Sequence, residues 1–150
     1  KGVQHMLNIE TKQFDYLCSA VGTGGTLAGI SKYCNENQKI IGFSVVKDLQ
    51  QSENILHWSG KKNFELIDAS FGGYGKIKDE NICFINDFKR VYEIQLDAIY
   101  TGKMMQQLIK MIEENYFPNG SKILAFHTGG LQGNFGVNLK LKKKNKALIA

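Results

Sequence analysis

The chain has 150 residues, of which 43% are apolar, and carries a formal net charge of +5. That suits one soluble unit able to bury a core without disulfides or a metal. Three scattered cysteines (Cys18, Cys34 and Cys83), none in a C-x-x-C pair, suggest neither a disulfide framework nor a zinc site and fit a reducing, cytoplasmic compartment.

In chain order, Phe14 to Val21 is mostly apolar and rich in strand formers, as a strand buried on both faces should be. It runs into Gly22-Thr23-Gly24-Gly25-Thr26, after which Leu27, Ile30, Ser31 and Cys34 fall at helical spacing. Lys39 to Val46 reads as a second strand, Gln50 to Trp58 as a helix and Phe64 to Ala69 as a third strand. Phe71-Gly72-Gly73-Tyr74-Gly75 is either a pocket-shaping segment or a plain irregular loop. Asp79 to Tyr92 carries Ile82, Ile85 and Phe88 at helical spacing.

Thr101 to Tyr116 is the clearest helix. Met104, Met105, Leu108, Ile109 and Ile112 form one stripe, with Lys103, Gln106, Gln107, Lys110, Glu113 and Glu114 facing away. Pro118-Asn119-Gly120 turns the chain into a last strand, Lys122 to Phe126, which ends in His127-Thr128-Gly129-Gly130. His127 reads as a hydrogen-bonded structural residue, and His5 and His57 as surface residues. Lys140, Lys142, Lys143, Lys144 and Lys146 crowd the C-terminus without interleaved aromatics. They read as a solvated, frayed helix rather than a nucleic-acid or membrane patch. No apolar run reaches membrane-spanning length.

Strands alternating with helices predict a parallel α/β sheet with flanking helices. In such sheets ligands bind beyond the carboxyl ends of the strands, and two of those ends here carry glycine loops. The loop from Gly22 to Thr26 also precedes a helix. It exposes backbone N–H groups at the positive end of a helix dipole, with Thr23 and Thr26 adding hydroxyls, which is what a phosphate needs. The spacing fits neither the P-loop nor the G-x-G-x-x-G fingerprint.

Four stretches in order carry a resemblance. They are Gly22-Thr23-Gly24-Gly25-Thr26-Leu27-Ala28-Gly29, Phe71-Gly72-Gly73-Tyr74, Leu96-Asp97-Ala98-Ile99-Tyr100-Thr101-Gly102-Lys103 and His127-Thr128-Gly129-Gly130. With them the chain resembles the 1-aminocyclopropane-1-carboxylate deaminase/D-cysteine desulfhydrase family. Those are enzymes dependent on pyridoxal 5'-phosphate (PLP) with a tryptophan-synthase-β-like fold (PLP fold type II).

The resemblance implies that this chain is the C-terminal part of the PLP-binding domain. Gly22, Thr23, Gly24, Gly25 and Thr26 would hold the phosphate. Tyr100 would lie near the ring and assist proton transfer, and Thr101 and Thr128 would offer hydroxyls to the pyridine nitrogen. Members that open the cyclopropane ring are expected to carry Glu after the Tyr and Leu after the His. Thr101 and Thr128 therefore point to a desulfhydrase-like β-elimination from a small amino acid of the D-cysteine type. Cyclopropane-ring deamination is the alternative, and a phosphate-binding module without catalysis is the alternative of another class.

The family's small substrate domain and Schiff-base lysine lie upstream of the phosphate loop, so both are expected to be missing and the chain alone inactive. Lys1, Lys12 and Lys103 are poor substitutes, Lys103 because it opens an exposed helix face. A homodimer is implied for the full-length protein.

Overall fold

A computed structural model describes residues 2–150; Lys1 lies outside the described residues. Four strands form one sheet: β1 (Tyr16–Val21), β2 (Lys39–Ser44), β3 (Phe64–Asp68) and β4 (Ile123–Ala125). Their order is β3-β2-β1-β4, and every pairing is parallel. The α/β class expected from the alternating pattern is the one observed. Six helices connect or flank the strands: α1 (Gly2–Met6), α2 (Gly25–Tyr33), α3 (Gln51–Ser59), α4 (Asp79–Tyr92), α5 (Thr101–Glu113) and α6 (Gly133–Lys143).

The apolar runs are long because β1 and β2 are covered on both faces. Leu17, Val21 and Ile40 point to the side of α2 and α3, where they meet Leu27, Ile30 and Ile55. Tyr16, Cys18, Ile41 and Phe43 point the other way, onto Met104, Leu108 and Met111 of α5. A third cluster joins α4 to α6: Ile82 and Ile85 pack with Leu96, Ala98, Val137, Leu141 and Ile149.

Three expectations need correction, and two short elements have no counterpart among them. The five-residue α1 and a 3-10 turn at Thr11–Gln13 carry too little apolar periodicity to read from sequence. The α5 stripe closes on Met111, buried, rather than Ile112, 47% exposed, because the i, i+4, i+7 row from Met104 runs through Leu108 to Met111. Lys103 does not open an exposed face: it is completely buried, its ammonium donating to Ser70 O at 2.8 Å and Gly73 O at 3.1 Å.

Nor is the C-terminus frayed. Ile149 is buried, its backbone N–H and C=O both held by the Asn138 side chain at 2.8 and 2.9 Å. Asn86 does the same for the Ala150 N–H and Leu148 C=O at 2.8 and 2.9 Å. The lysines themselves are solvated except at Lys146, which meets Asp79 at 2.8 Å. None of the described helices is long and apolar enough to cross a membrane.

Candidate functional site

From β1 the chain steps outward to β2 and then β3 on one side, and the next connection crosses back to lay β4 on the other side of β1. That is a topological switch point, and the loops after two diverging neighbours open a crevice there. The crevice here is about 410 Å³, within the range of small-molecule sites, and lies between the loop after β1 and the loop after β4. Gly22 to Thr26 form one wall, Thr128, Gly129 and Gly130 another, and Tyr100 closes the side.

The first wall is built for close approach. Gly24 is the N-cap of α2, with φ +100 and no side chain capping the helix. The first-turn N–H groups of Gly25, Thr26 and Leu27 have no carbonyl one turn back, so they point free into the crevice with the positive end of the helix dipole. Among the described residues no lysine or arginine lines the crevice. An anion there would be held by backbone amides and the hydroxyls of Thr23 and Thr26, an arrangement that fits a phosphate.

Gln51 fixes this loop from behind and escaped the sequence reading, since a lone glutamine at a helix start carries no signal of its own. It is buried; its Nε2 donates to Gly22 O at 2.6 Å, and its Oε1 meets the Ser44 hydroxyl at 2.6 Å. Replacing Gln51 by Leu keeps the bulk but strands the Gly22 carbonyl. The expected cost is about 1–3 kcal/mol with weaker anion binding. Denaturant unfolding with and without phosphate measures both; unchanged stability and unchanged phosphate protection would show that the tie is idle.

The opposite wall is set by His127. Its Nδ1 accepts from Gly129 N–H at 3.1 Å and its Nε2 lies 2.7 Å from Gln95 O, which places the ring proton on Nε2. With both nitrogens occupied, His127 is the structural residue expected and not a base facing the crevice. Thr128, next to it, is exposed at the crevice mouth.

Tyr100 and Thr101 part company. Asp97, 2% exposed, accepts at Oδ1 from the N–H groups of Ile99 (2.9 Å) and Tyr100 (2.7 Å), and at Oδ2 from Thr101 N–H (2.8 Å). The Thr101 hydroxyl, fully buried, also donates to Oδ2 at 2.6 Å and accepts from Asp97 N–H at 3.0 Å. Thr101 is therefore spent on anchoring the start of α5 and does not line the crevice, contrary to the role the resemblance gave it. Tyr100, one residue earlier, turns its ring over Gly22, where a Cβ would come within 3.0 Å of Tyr100 Cε1.

The Tyr100 hydroxyl lies 3.1 Å from the Tyr74 hydroxyl. That hydrogen bond, with burial behind it, pushes Tyr100 up to about 12, so the phenol keeps its proton at any physiological pH. The Phe71–Gly75 segment thus shapes the site through Tyr74, a residue the sequence singled out only as part of a glycine-rich stretch.

Fold and crevice together define a partial PLP fold type II domain, a parallel sheet with an amide cradle at its switch point. Among solved structures, an ACC deaminase homologue superposes with a TM-score of 0.76 and 32% identity, covering 95% of this chain and 49% of that one. A Pyrococcus horikoshii protein provisionally named 1-aminocyclopropane-1-carboxylate deaminase is 34% identical over 143 residues, 86% of this chain and 43% of its own length. A Bradyrhizobium protein named 1-aminocyclopropane-1-carboxylate deaminase is 26% identical over 140 residues, 79% of this chain and 40% of its own. No family model matches the chain.

The chain is a homologue of these deaminase-named proteins, corresponding to their C-terminal portion. It spans about two fifths of the length of those two relatives, at 43% and 40%.

Proposed function

We propose that this chain forms the phosphate-holding part of a PLP-dependent lyase of small amino acids. The observation that carries this is one crevice at the switch point where free first-turn amides, Tyr100 and Thr128 converge. The amides of Gly25, Thr26 and Leu27 and the hydroxyls of Thr23 and Thr26 would take the phosphate. Thr128 would face the ring edge. When bound, PLP supplies an electron-withdrawing ring that takes up charge left on the substrate.

Tyr100, at the crevice wall with its hydroxyl against that of Tyr74, is placed to take part in proton transfer at a leaving group or substrate carbon. Among the described residues none that lines the crevice is a lysine, and a lysine for covalent capture of the cofactor would come from another part of the full-length protein.

For the reaction itself we favour a desulfhydrase-like β-elimination, a D-cysteine-type substrate giving sulfide, ammonia and pyruvate. What supports it is the residue pair Thr101 and Thr128, where ring-opening members of the resembled family carry Glu and Leu. Thr128 bears the weight of that comparison, since the Thr101 hydroxyl is turned into Asp97. The second reading, deamination of the cyclopropane amino acid, is favoured by the names of the relatives.

Titrating the chain with PLP and separately with pyridoxal, which lacks the phosphate, tests the cradle. PLP is expected to bind at least about tenfold more tightly, and inorganic phosphate to compete with it. Equal affinity for the two, or no competition, would remove the phosphate role. Sulfide release from D-cysteine against ketoacid release from the cyclopropane substrate, in the lyase with its lysine-bearing half present, separates the two chemistries.

A further inference from the structure

Lys103 is a fully buried lysine. It is 0% exposed, third in α5 and followed by the buried Met104, at a place where an apolar residue would pack without penalty. Among the described residues no carboxylate pairs with it. Burial lowers its affinity for its proton, and Asp68 at longer range offsets that only in part. An ammonium taken from water without a counter-ion is destabilising unless its protons find acceptors. Those acceptors are two backbone carbonyls, Ser70 O at 2.8 Å and Gly73 O at 3.1 Å.

The segment bearing those carbonyls has few ties of its own. Phe71 (φ 49), Gly72 (φ 101), Gly73 (φ 142) and Gly75 (φ 69) all have positive φ, conformations with high backbone freedom at glycine and strain at Phe71. Its internal support is a turn bond from Gly73 N–H to Ser70 O at 3.1 Å, a second from Lys76 N–H to Gly73 O at 3.2 Å, and Asp68 receiving Ser70 N–H at 2.8 Å, with Phe71 half-buried against the core. Tyr74 follows immediately and is 57% exposed, so packing does little to place its ring. Yet its hydroxyl sits 3.1 Å from that of Tyr100, which leads directly into α5.

We propose that Lys103 is a positioning residue: by clamping Ser70 O and Gly73 O from inside α5 it holds Tyr74 against Tyr100 and so sets the phenol that faces the crevice. The clamp and the tyrosine pair close a ring through the helix start, with Lys103 at one end and Tyr100 at the other. Lysine suits this better than arginine, since a compact ammonium can direct its three protons at two nearby carbonyls while a planar guanidinium needs room that a fully buried site lacks.

The consequence for catalysis rests on the PLP reading, but the geometry can be tested in the ligand-free chain. The full chain, carrying carbon-13 at tyrosine Cζ, is compared as wild type, Y74F, K103M and K103R, with amide exchange followed in parallel. In K103M the Tyr100 signal is expected to move to its Y74F position, and Gly73 amide exchange to speed up by about tenfold or more. Leu108 in the middle of α5 should keep its protection. A K103M/Y74F double variant should show the Tyr100 shift of Y74F alone, since the two act through one contact. K103R should restore neither signal fully.

A purely structural lysine would lower stability and leave the Tyr100 signal in place; that outcome overturns the proposal. Should K103M not fold, the wild type still decides. Lys103 ammonium protons that exchange as fast as those of exposed lysines would sink the clamp, and slow ones correlated to the Ser70 and Gly73 carbonyls would sustain it. If PLP fails to bind while Tyr100 still moves in K103M, the cofactor reading falls and the clamp stands.

Discussion

Replacing Asp97 by alanine is expected to cost about 3–5 kcal/mol of stability and to take the crevice wall with it. The carboxylate is 2% exposed and receives three backbone N–H groups and one hydroxyl, so deleting it leaves the buried Thr101 amide and Oγ1 and the half-buried Ile99 and Tyr100 amides without their acceptor. No cation shares the load among the described residues; the N–H groups at the start of α5, which Asp97 receives, supply the compensating positive end of a dipole.

Asparagine discriminates the mechanism. Its oxygen can replace Oδ1 toward Ile99 and Tyr100, but its NH2 then faces the Thr101 N–H, donor against donor. Asp97→Asn should therefore lose about half of what alanine loses, and chemical denaturation of the three proteins orders them. Equal stabilities for wild type and alanine would mean that the anchor is not formed in solution.

The same residue shows what could be read from sequence and what could not. The β1–loop–α2 unit is legible because its signals are local: an apolar run, a glycine cluster, then helical periodicity from Leu27. The helix from Asp79 to Tyr92 was recovered to the residue for the same reason. What escaped were side chains that act on the backbone. Gln51, Asn138 and Asn86 each satisfy main-chain groups far along the chain, and Asp97 satisfies the turn that follows it; a lone polar residue looks the same in sequence whether it does so or faces water.

Lys103 is the sharpest instance. A lysine beside a helical stripe is ordinarily assigned to solvent on polarity alone, and only the carbonyls of Ser70 and Gly73, roughly a turn and a helix away in the fold, explain why it goes inside. Thr101 erred in the opposite direction: the family resemblance gave its hydroxyl to a ligand, while Asp97 four residues earlier had already taken it.

Gly24→Ala and Gly25→Ala, neighbouring and chemically identical changes, should behave oppositely. At Gly24 the backbone has φ +100, and a Cβ would lie 2.6 Å from Ile55 Cγ1 and 3.1 Å from Cδ1. Ile55 is fully buried, so it can yield only by disturbing the core under α2 and α3. Left-handed backbone strain and overpacking together put the loss at about 2–5 kcal/mol.

At Gly25, the first residue of α2, an added Cβ meets nothing within 4 Å and the backbone is already helical. Alanine there should stabilise the chain by about 0.5–1 kcal/mol, the ordinary gain of removing glycine from a helix. Binding separates the two effects. A phosphate resting on the amides of the first turn needs the space that the Gly25 Cβ would occupy, so Gly25→Ala should weaken PLP by about tenfold or more while raising the unfolding midpoint. Stability and affinity moving in opposite directions at one exposed position have a single physical cause, a ligand pressed against bare backbone. If Gly25→Ala instead binds PLP as the wild type does, the amides of α2 are not the cradle, and the glycine loop is a tight strand-to-helix turn and no more.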